Sequence, residues 1–300
     1  MSEKEKVLVT GASGFIGSRL CEKLKEDGYE VYGVSRSQKP DNDKMKWIQG
    51  NLLDRDFVDN VIESINPDYV FHLASHVLGS RSFEYVISTM ENNFLTSLYL
   101  MHAVKKYGCK RLILAGSFEE GLNEGGKVVP SSPYAASKIA SSNYARMFHE
   151  LYQLPVAIAS IYMVYGPGQQ DLSKLIPYTI LSALKGEKPR ISSGVRMVDW
   201  IYIDDLVSGL VNMMKAPGID GETIELGSGK VISVKDIVVK VTHMIDKELD
   251  PLIGGVEDRP LEQEDMADIS MTQTQISWSP QFDLEQGLRN TIEHYKKLKL

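Results

Sequence analysis

A tyrosine and a lysine stand four residues apart in the segment Y-A-A-S-K, as Tyr134 and Lys138. If this segment is helical, the two side chains lie one turn apart on the same face. A nearby ammonium favours the phenolate, so we expect the pKa of Tyr134 to fall below its ordinary value of about 10. Such a tyrosine can exchange a proton with a substrate hydroxyl. The spacing alone is weak support, because Tyr295 and Lys299 repeat it in a stretch that we interpret as a solvated helix face.

Two more polar side chains follow the apolar run L-I-L-A, namely Ser117 and Glu119. Polar groups just past the carboxyl end of a buried strand lie where α/β proteins build their sites. The alternative for Glu119 is a carboxylate that only caps a loop. Ser117 and Glu119 therefore join Tyr134 and Lys138 as candidate site residues.

A glycine turn, T-G-A-S-G-F-I-G, follows the first apolar run, K-V-L-V-T. Its glycines Gly11, Gly14 and Gly17 permit a tight turn and a close approach of the main chain to a pyrophosphate. The helix that follows directs unpaired N–H groups toward the phosphates. We therefore predict a dinucleotide site at this turn. It also includes Ser13, Phe15 and Ile16.

Short apolar runs alternate with amphipathic stretches through the first half of the chain. The predicted strands are 6–10, 30–34, 46–49, 69–73, 111–115 and 156–161. The predicted helices are 15–26, 57–65, 92–107 and 135–152. This order predicts a Rossmann-like α/β fold, a doubly wound parallel sheet with helices on both faces.

From about residue 166 strands and helices no longer alternate regularly, and loops separate the predicted elements. These elements are helices near 173–185, 204–214 and 233–245 and a strand at 222–226. We predict a smaller, mainly helical substrate lobe that interleaves with the first domain. Residues 1–165 and about 196–228 would form the dinucleotide-binding domain, and residues 166–195 and 229–300 the lobe.

Composition narrows the classes of partner. The chain of 300 residues carries a formal net charge of -7, which disfavours a nucleic-acid binder. Its two cysteines have no metal-ligand spacing around them, and we expect no metal site. The polar N-terminus is not a signal peptide, and no apolar run is long enough to span a bilayer. We expect a cytoplasmic protein without a membrane partner.

Several segments resemble the extended branch of the short-chain dehydrogenase/reductase family. They are the glycine turn of the form G-x-x-G-x-x-G, the segment Y-A-A-S-K, V-Y-G-P-G-Q-Q at 164–170, and D-W-I-Y-I-D-D at 199–205. The resemblance spans nearly the whole chain. It implies an NAD(P)-dependent nucleotide-sugar epimerase or 4,6-dehydratase that transiently oxidises the C4 hydroxyl of a nucleotide-diphosphate sugar.

The resemblance also implies roles for the four catalytic candidates. Ser117 would bond the hydroxyl that Tyr134 deprotonates, and Lys138 would also hold the nicotinamide ribose. Glu119 matches the dehydratase base that acts at sugar C5, but Phe118 stands where those enzymes carry an acid. Epimerase and dehydratase therefore stay open.

The predicted second strand decides the expected cofactor. NAD-binding units usually place a carboxylate at its end, where it bonds the ribose 2′-hydroxyl. This chain has Ser35 and then Arg36, and an arginine can bind a 2′-phosphate. We predict NADP, with NAD possible and a merely solvated Arg36 as the alternative. By resemblance, further cofactor contacts are Asn51, Leu52, Leu73, Ala74 and Ser75.

The substrate end departs most from the family pattern. Arg196 and Arg259 are the candidates for the diphosphate, although either could be only a surface charge. Met163 stands where the family often has an asparagine that contacts the phosphates. An NADPH-dependent 4-keto-sugar reductase and a non-catalytic NADP-binding regulatory protein are the competing functions. By resemblance alone, we expect a homodimer formed by helices 92–107 and 135–152.

Overall fold

The computed structural model describes residues 4–39, 45–77, 80–121, 129–259 and 261–298. Seven parallel strands form its main sheet, in the order β3-β2-β1-β4-β5-β6-β9. They are β1 Lys6–Thr10, β2 Glu30–Ser35, β3 Lys46–Gln49, β4 Tyr69–His72, β5 Arg111–Ala115, β6 Val156–Ile161 and β9 Thr223–Leu226. This sheet confirms the predicted doubly wound α/β fold.

Helices cover both faces of the main sheet. The helices of the described residues are α1 Phe15–Glu26, α2 Arg55–Ile65, α3 Val86–Thr89, α4 Thr96–Tyr107, α5 Pro133–Tyr152, α6 Leu175–Leu184, α7 Ile203–Lys215, α8 Val234–Ile245, α9 Ile269–Ile276 and α10 Leu284–Lys297. The main-chain geometry of residues 90–95, between α3 and α4, is that of a π-helix. Among the described residues, no helix is both long and apolar enough to cross a membrane.

Alternation along β1 shows how the sheet builds two cores. Val7 and Val9 belong to the apolar layer on one face, and Leu8 belongs to the layer on the other. All three side chains are fully buried, as a strand covered on both sides requires. In register, Thr10 at the end of β1 lies beside Val34 and His72, so the strand ends share one edge.

A second sheet of three strands lies in the later part of the chain, in the order β10-β8-β7. Its strands are β7 Met163–Tyr165, β8 Met197–Tyr202 and β10 Val231–Ser233. We did not predict it, because two of its three strands have only three residues and carry little periodicity. The strand predicted at 222–226 pairs with β6 in the main sheet. The later part of the chain therefore contributes a strand to the sheet that the first part forms. The domain division itself stays a prediction.

The C-terminal helix differs from our expectation that Tyr295 and Lys299 lie on a solvated face. Tyr295 is 1% exposed, and its hydroxyl donates to the carbonyl of Gln169 at 3.1 Å. The prediction of a solvated face is therefore wrong for Tyr295, while Lys299 lies outside the described residues. Tyr295 is buried because it faces the interior from α10, whose inner face also includes Leu288 and Ile292.

Candidate functional site

One cleft of about 2640 Å³ runs along the carboxyl ends of the strands. Every residue proposed from the sequence lines it, which is the position expected for a ligand site in an open α/β sheet. The lining includes Gly11, Ser13, Gly14, Phe15, Ile16, Gly17, Ser35, Arg36, Asn51, Leu52, Leu73, Ala74, Ser75, Ser117, Glu119, Tyr134, Lys138, Met163, Arg196 and Arg259. The structure thus brings the whole set together in one cleft.

The glycine turn leaves no room for side chains. Gly11 has a φ of +72°, and a Cβ there would lie 2.7 Å from the main-chain nitrogen of Ala74. A Cβ on Gly17 would lie 2.1 Å from the carbonyl oxygen of Gly11. No side chain caps the helix that begins after Gly14. The exposed main chain beside a helix N-terminus fits the pyrophosphate of a dinucleotide.

A buried network of hydrogen bonds lies next to the glycine turn and holds it to the sheet. We did not predict this network from the sequence. His72 Nδ1 lies 2.7 Å from Thr10 Oγ1, and its Nε2 lies 3.0 Å from Ser97 Oγ. The N–H of Ala74 donates to Thr10 Oγ1 at 3.3 Å. Burial lowers the pKa of His72 to about 3, so the ring is neutral and bridges β1 to β4 and α4.

Lys138 comes from the second turn of α5 and points at the end of β5. Its Nζ donates to the carbonyl of Ala115 at 2.7 Å and lies 5.7 Å from the ring centroid of Tyr134. The side chain is buried, and burial lowers its pKa to about 8. The ammonium is therefore close to its titration range at physiological pH.

The pKa of Tyr134 differs from our expectation. Burial and then the charge of Glu119 raise it above its ordinary value, while a hydrogen bond with Ser117 acts in the opposite direction. The prediction of a lowered pKa is wrong for this structure, because desolvation and a nearby carboxylate both disfavour the phenolate. The protein alone therefore keeps Tyr134 as a neutral phenol.

A tight 3-10 turn at Phe118–Glu120 holds the serine at the end of β5. The Ser117 hydroxyl accepts the N–H of Glu119 at 3.2 Å. The Glu120 carboxylate reaches back to accept the N–H of Ser117 at 2.7 Å. This reciprocal pair is a capping box that fixes the Ser117 main chain. Sequence reasoning missed Glu120, although the spacing S-x-x-E was a signal for it.

Asn93 is a second functional residue that we missed. It is 2% exposed and lies inside the π-helical segment. Its Oδ1 accepts from the hydroxyl of Ser75 at 3.1 Å and from the N–H of His76 at 2.6 Å. Its Nδ2 donates to Ser137 at 2.9 Å, next to Lys138. Asn93 therefore ties the loop after β4 to α5, and π-helical turns are often found at functional sites.

At the end of β2, the two residues that decide the expected cofactor both reach the cleft. Ser35 is buried, and its hydroxyl lies 3.4 Å from that of Ser37. Arg36 is exposed. Asn51 at the next strand end uses its Oδ1 to accept the N–H of Leu53 at 3.1 Å. This bond holds the amide of Asn51 in a turn at the cleft edge.

At the other end of the cleft, Arg196 contacts protein groups on several sides. Its Nε donates to the carbonyl of Gln263 at 2.9 Å, and its Nη1 lies 3.3 Å from a carboxylate oxygen of Glu262. The guanidinium also lies 5.6 Å from the ring centroid of Phe118. Arg259 is exposed, and Met163 is half-buried on β7. Arg196 is thus a built part of the site rather than a mobile surface charge.

Glu119 lies between these two ends. Burial raises its pKa, while the charges of Arg196, Arg81 and Lys174 act in the opposite direction and Glu262 adds to the rise. A carboxylate whose pKa is raised inside a cleft can take up a proton more readily than an exposed one. Its environment is therefore compatible with a base, but does not identify the reaction.

The chain is similar in sequence and in structure to proteins of one known family. Residues 7–227 match the model of the NAD dependent epimerase/dehydratase family. The chain is 30% identical to a probable dTDP-glucose 4,6-dehydratase of Sinorhizobium fredii, covering 97% of this chain and 92% of that one. It is 28% identical to a UDP-glucuronate 4-epimerase of Thermodesulfobacterium geofontis, covering 97% and 96%. The structure of a UDP-glucuronic acid 4-epimerase from Bacillus cereus, with UDP-glucuronic acid and NAD, has a TM-score of 0.86 and 27% identity, covering 98% and 99%.

Proposed function

We propose a reaction for this chain from one premise: it belongs to the NAD dependent epimerase/dehydratase family. Its substrate is a nucleotide-diphosphate sugar, whose C4 hydroxyl is transiently oxidised and then restored in the opposite configuration. The observation that carries this proposal is the meeting of Ser117, Tyr134 and Lys138 beside the glycine turn in one cleft. The relatives named above act as nucleotide-sugar 4,6-dehydratases and 4-epimerases, which supports the same class of substrate.

Three side chains bind the C4 hydroxyl, transfer its proton and hold the cofactor. Ser117 and Tyr134 bond the C4 hydroxyl, and Tyr134 takes its proton and later returns it. Lys138 holds the nicotinamide ribose and places its charge beside the phenol. When bound, an oxidised nicotinamide supplies a hydride acceptor and a positive charge that favours the Tyr134 phenolate. That charge offsets the burial and the Glu119 charge that raise the pKa of Tyr134.

Phe118 favours the epimerase over the dehydratase. Loss of water from the sugar needs a base at C5 and an acid for the departing hydroxyl. Phe118 is 8% exposed, and its ring stacks on Tyr162 with centroids 5.4 Å apart. This position supplies no acid. In an epimerase, the 4-keto intermediate only has to rotate so that hydride returns to its other face. This rotation needs neither a C5 base nor an acid, so the residues at this site fit epimerisation better.

A 4,6-dehydratase is the second candidate, and Glu119 is the observation that favours it. This carboxylate lines the cleft close enough to Tyr134 to raise its pKa. In that reaction Glu119 would remove the C5 proton after oxidation at C4. A reductase of 4-keto sugars stays a third reading, because it would use the same Ser117, Tyr134 and Lys138 with NADPH as a consumed reactant.

A single panel of incubations separates these reactions. Purified protein is mixed with UDP- and dTDP-linked hexoses and uronic acids, with and without added NADPH, and the products are separated by chromatography. We expect the 4-epimer without net loss of NADPH. A 4-keto-6-deoxy sugar would identify the dehydratase, and stoichiometric loss of NADPH the reductase. If no nucleotide sugar is turned over, the non-catalytic reading replaces the proposal.

We also propose that the chain prefers NADP to NAD. Residues 35–39 read S-R-S-Q-K, so the end of β2 carries no carboxylate and two basic residues. The exposed Arg36 borders the cleft, where a 2′-phosphate would meet it. The family and the Bacillus cereus structure concern NAD, and they support only a nicotinamide dinucleotide.

A homodimer through the helices around α4 and α5 is part of the proposal. Tyr144, Leu151 and Tyr152 are 40%, 67% and 46% exposed and lie at helical spacing along α5. An apolar stripe of this kind is typical of an interface between copies. Sedimentation should give twice the 33.5 kDa of one chain, and Leu151→Glu should shift it to the monomer. The domain division and the cytoplasmic location expected from the sequence also remain predictions.

A further inference from the structure

Glu120 occupies an unusual place for a carboxylate, behind the catalytic groups rather than among them. It is half-buried, and its Oε1 accepts the N–H of Ser117 at 2.7 Å. A Cβ on Gly116 would lie 2.9 Å from this oxygen, so the glycine makes room for it. The carboxylate is thus pressed onto the main chain at the end of β5.

Lys138 reaches the same strand end from α5. Its ammonium bonds the carbonyl of Ala115, two residues before the N–H that Glu120 holds. Glu120 also acts on Lys138 electrostatically, since its charge raises the pKa that burial lowers. A buried ammonium without a counter-ion loses its proton readily, so this charge matters for keeping it.

Other charged groups face this pair. His72 lies near Lys138 and is neutral, because burial lowers its pKa to about 3. Arg146, an exposed residue of α5, acts on Glu120 in the same sense as Lys138 does. Glu120 in turn raises the pKa of Tyr134. Among these groups, Glu120 is the carboxylate in a position to offset the charge of Lys138.

We propose that Glu120 is a positioning residue with two separable tasks. Its charge serves as the internal counter-ion of Lys138, and its acceptor oxygen clamps the main chain of Ser117. The catalytic consequence rests on the proposed function, because it requires Tyr134, Ser117 and Lys138 to act on a substrate hydroxyl. The electrostatic coupling of Glu120 and Lys138 does not depend on any substrate.

Two variants separate the tasks. Glu120→Gln keeps an acceptor oxygen at the same reach and removes the charge, whereas Glu120→Asp keeps the charge and shortens the reach. The pKa of Lys138 is measured by carbon NMR of protein labelled at the lysine ε-carbon, with its signal assigned by its loss in Lys138→Met. We expect Glu120→Gln to lower this pKa by about one unit and Glu120→Asp to leave it near the parent value.

The reciprocal measurement covers the case in which Glu120→Gln does not fold. Coupling between two titrating groups is mutual, so Lys138→Met should raise the pKa of the Glu120 carboxyl by the same amount. Carbon NMR of the glutamate δ-carbon reads this directly. If Lys138 and Glu120 titrate independently in both experiments, the proposal is overturned. Equal shifts in the Gln and Asp variants would also overturn it, because they would reflect packing and not charge.

Enzyme kinetics then test the catalytic consequence. In the parent protein, kcat/KM should fall as the pH rises through the pKa of Lys138. In Glu120→Gln this fall should move to lower pH by the same shift that NMR shows. A loss of activity that is equal at all pH values would leave Glu120 with only a structural role and contradict the proposal. An NMR shift without turnover of any nucleotide sugar would instead reject the proposed function.

Discussion

The two ends of the cleft are built in different ways. The proposed cofactor end, formed by residues 11–17 and the ends of β2 and β4, is lined mainly by glycines and uncharged side chains, with Arg36 as an exposed cation. The proposed substrate end, formed by residues 190–198, 255–259 and 261–264, is rich in charged side chains. At the cofactor end a glycine meets the carbonyl of a residue six positions earlier, as Gly17 meets Gly11. At the substrate end Arg196 meets Glu262, 66 positions later.

This difference determines how each end recognises its ligand. Main-chain N–H groups at a helix N-terminus have fixed positions and bind any pyrophosphate in much the same way. Charged side chains that already pair with one another, as Arg196 does with Glu262, must give up that pairing, at a cost, if they are to bind an anion. Changes in the glycine turn should therefore weaken cofactor binding strongly, whereas changes to single charged side chains at the edge of the cleft should have smaller effects.

The largest effect is expected where the two ends meet. Tyr134→Phe removes the phenol that we propose exchanges the C4 proton but keeps the ring, so kcat should fall by about 10²–10⁴. Cofactor affinity, measured by fluorescence titration, should change little because the glycine turn is intact. Tyr144→Phe, the same change at a tyrosine of α5 that is 40% exposed, is the control for disturbance of the helix. If Tyr134→Phe kept full turnover, the assignment of this residue would fail.

Next in size is the effect of filling the glycine turn. Gly17→Ala places a methyl group 2.1 Å from the carbonyl oxygen of Gly11, a main-chain atom that cannot move aside cheaply. We expect cofactor affinity to weaken by about 100-fold, equivalent to about 2.7 kcal/mol. Isothermal titration calorimetry measures it directly. Gly14→Ala is the matched control, since its Cβ would lie 3.2 Å from the same atom and should cost far less.

Substitution of Arg36 should have a smaller effect on cofactor affinity than substitution of Gly17. It tests whether a charged side chain at the cofactor end, rather than the main chain, sets the preference between the two cofactors. Arg36→Ala should weaken NADP about tenfold, the loss of a single exposed charge-assisted bond, and leave NAD nearly unchanged. Dissociation constants for both cofactors in both proteins provide the test. Tighter binding of NAD than of NADP by the parent protein would contradict the preference. Lys247→Ala, at an exposed lysine outside the cleft lining, is the control for a nonspecific loss of positive charge.

Much of the cofactor end was predictable because its determinants are local. The glycine turn specifies a backbone path, and apolar runs such as V-L-V specify the strand that it follows. Of the strands predicted in the first half, those at 6–10, 46–49, 111–115 and 156–161 have the observed bounds. A parallel sheet then places all carboxyl ends on one edge. Local pattern and general topology together were enough to gather the proposed residues into one cleft.

What sequence reasoning missed depends on contacts between distant residues. The spacing of Tyr134 and Lys138 predicted a lowered pKa, but the enclosure of the phenol and the charge of Glu119 raise it. Nothing in the local sequence reports how deeply a side chain will be buried. Asn93 reads as one polar residue in a helix, and its bonds become visible only when the loop after β4 is packed against α5.

The smallest effect, and the last test of the comparison, is expected from Arg259. It is exposed at the rim, so an ion pair with a substrate diphosphate would be weakened by water and salt. Arg259→Ala should raise KM about fivefold, near 1 kcal/mol, with kcat unchanged, and the difference should shrink at high salt. Arg55→Ala, at an exposed arginine outside the cleft lining, is the control for a nonspecific loss of positive charge. Steady-state kinetics at two ionic strengths decide the matter. A 100-fold fall in kcat would mean that this rim arginine contacts the reacting sugar, and the contrast between the two ends would not hold.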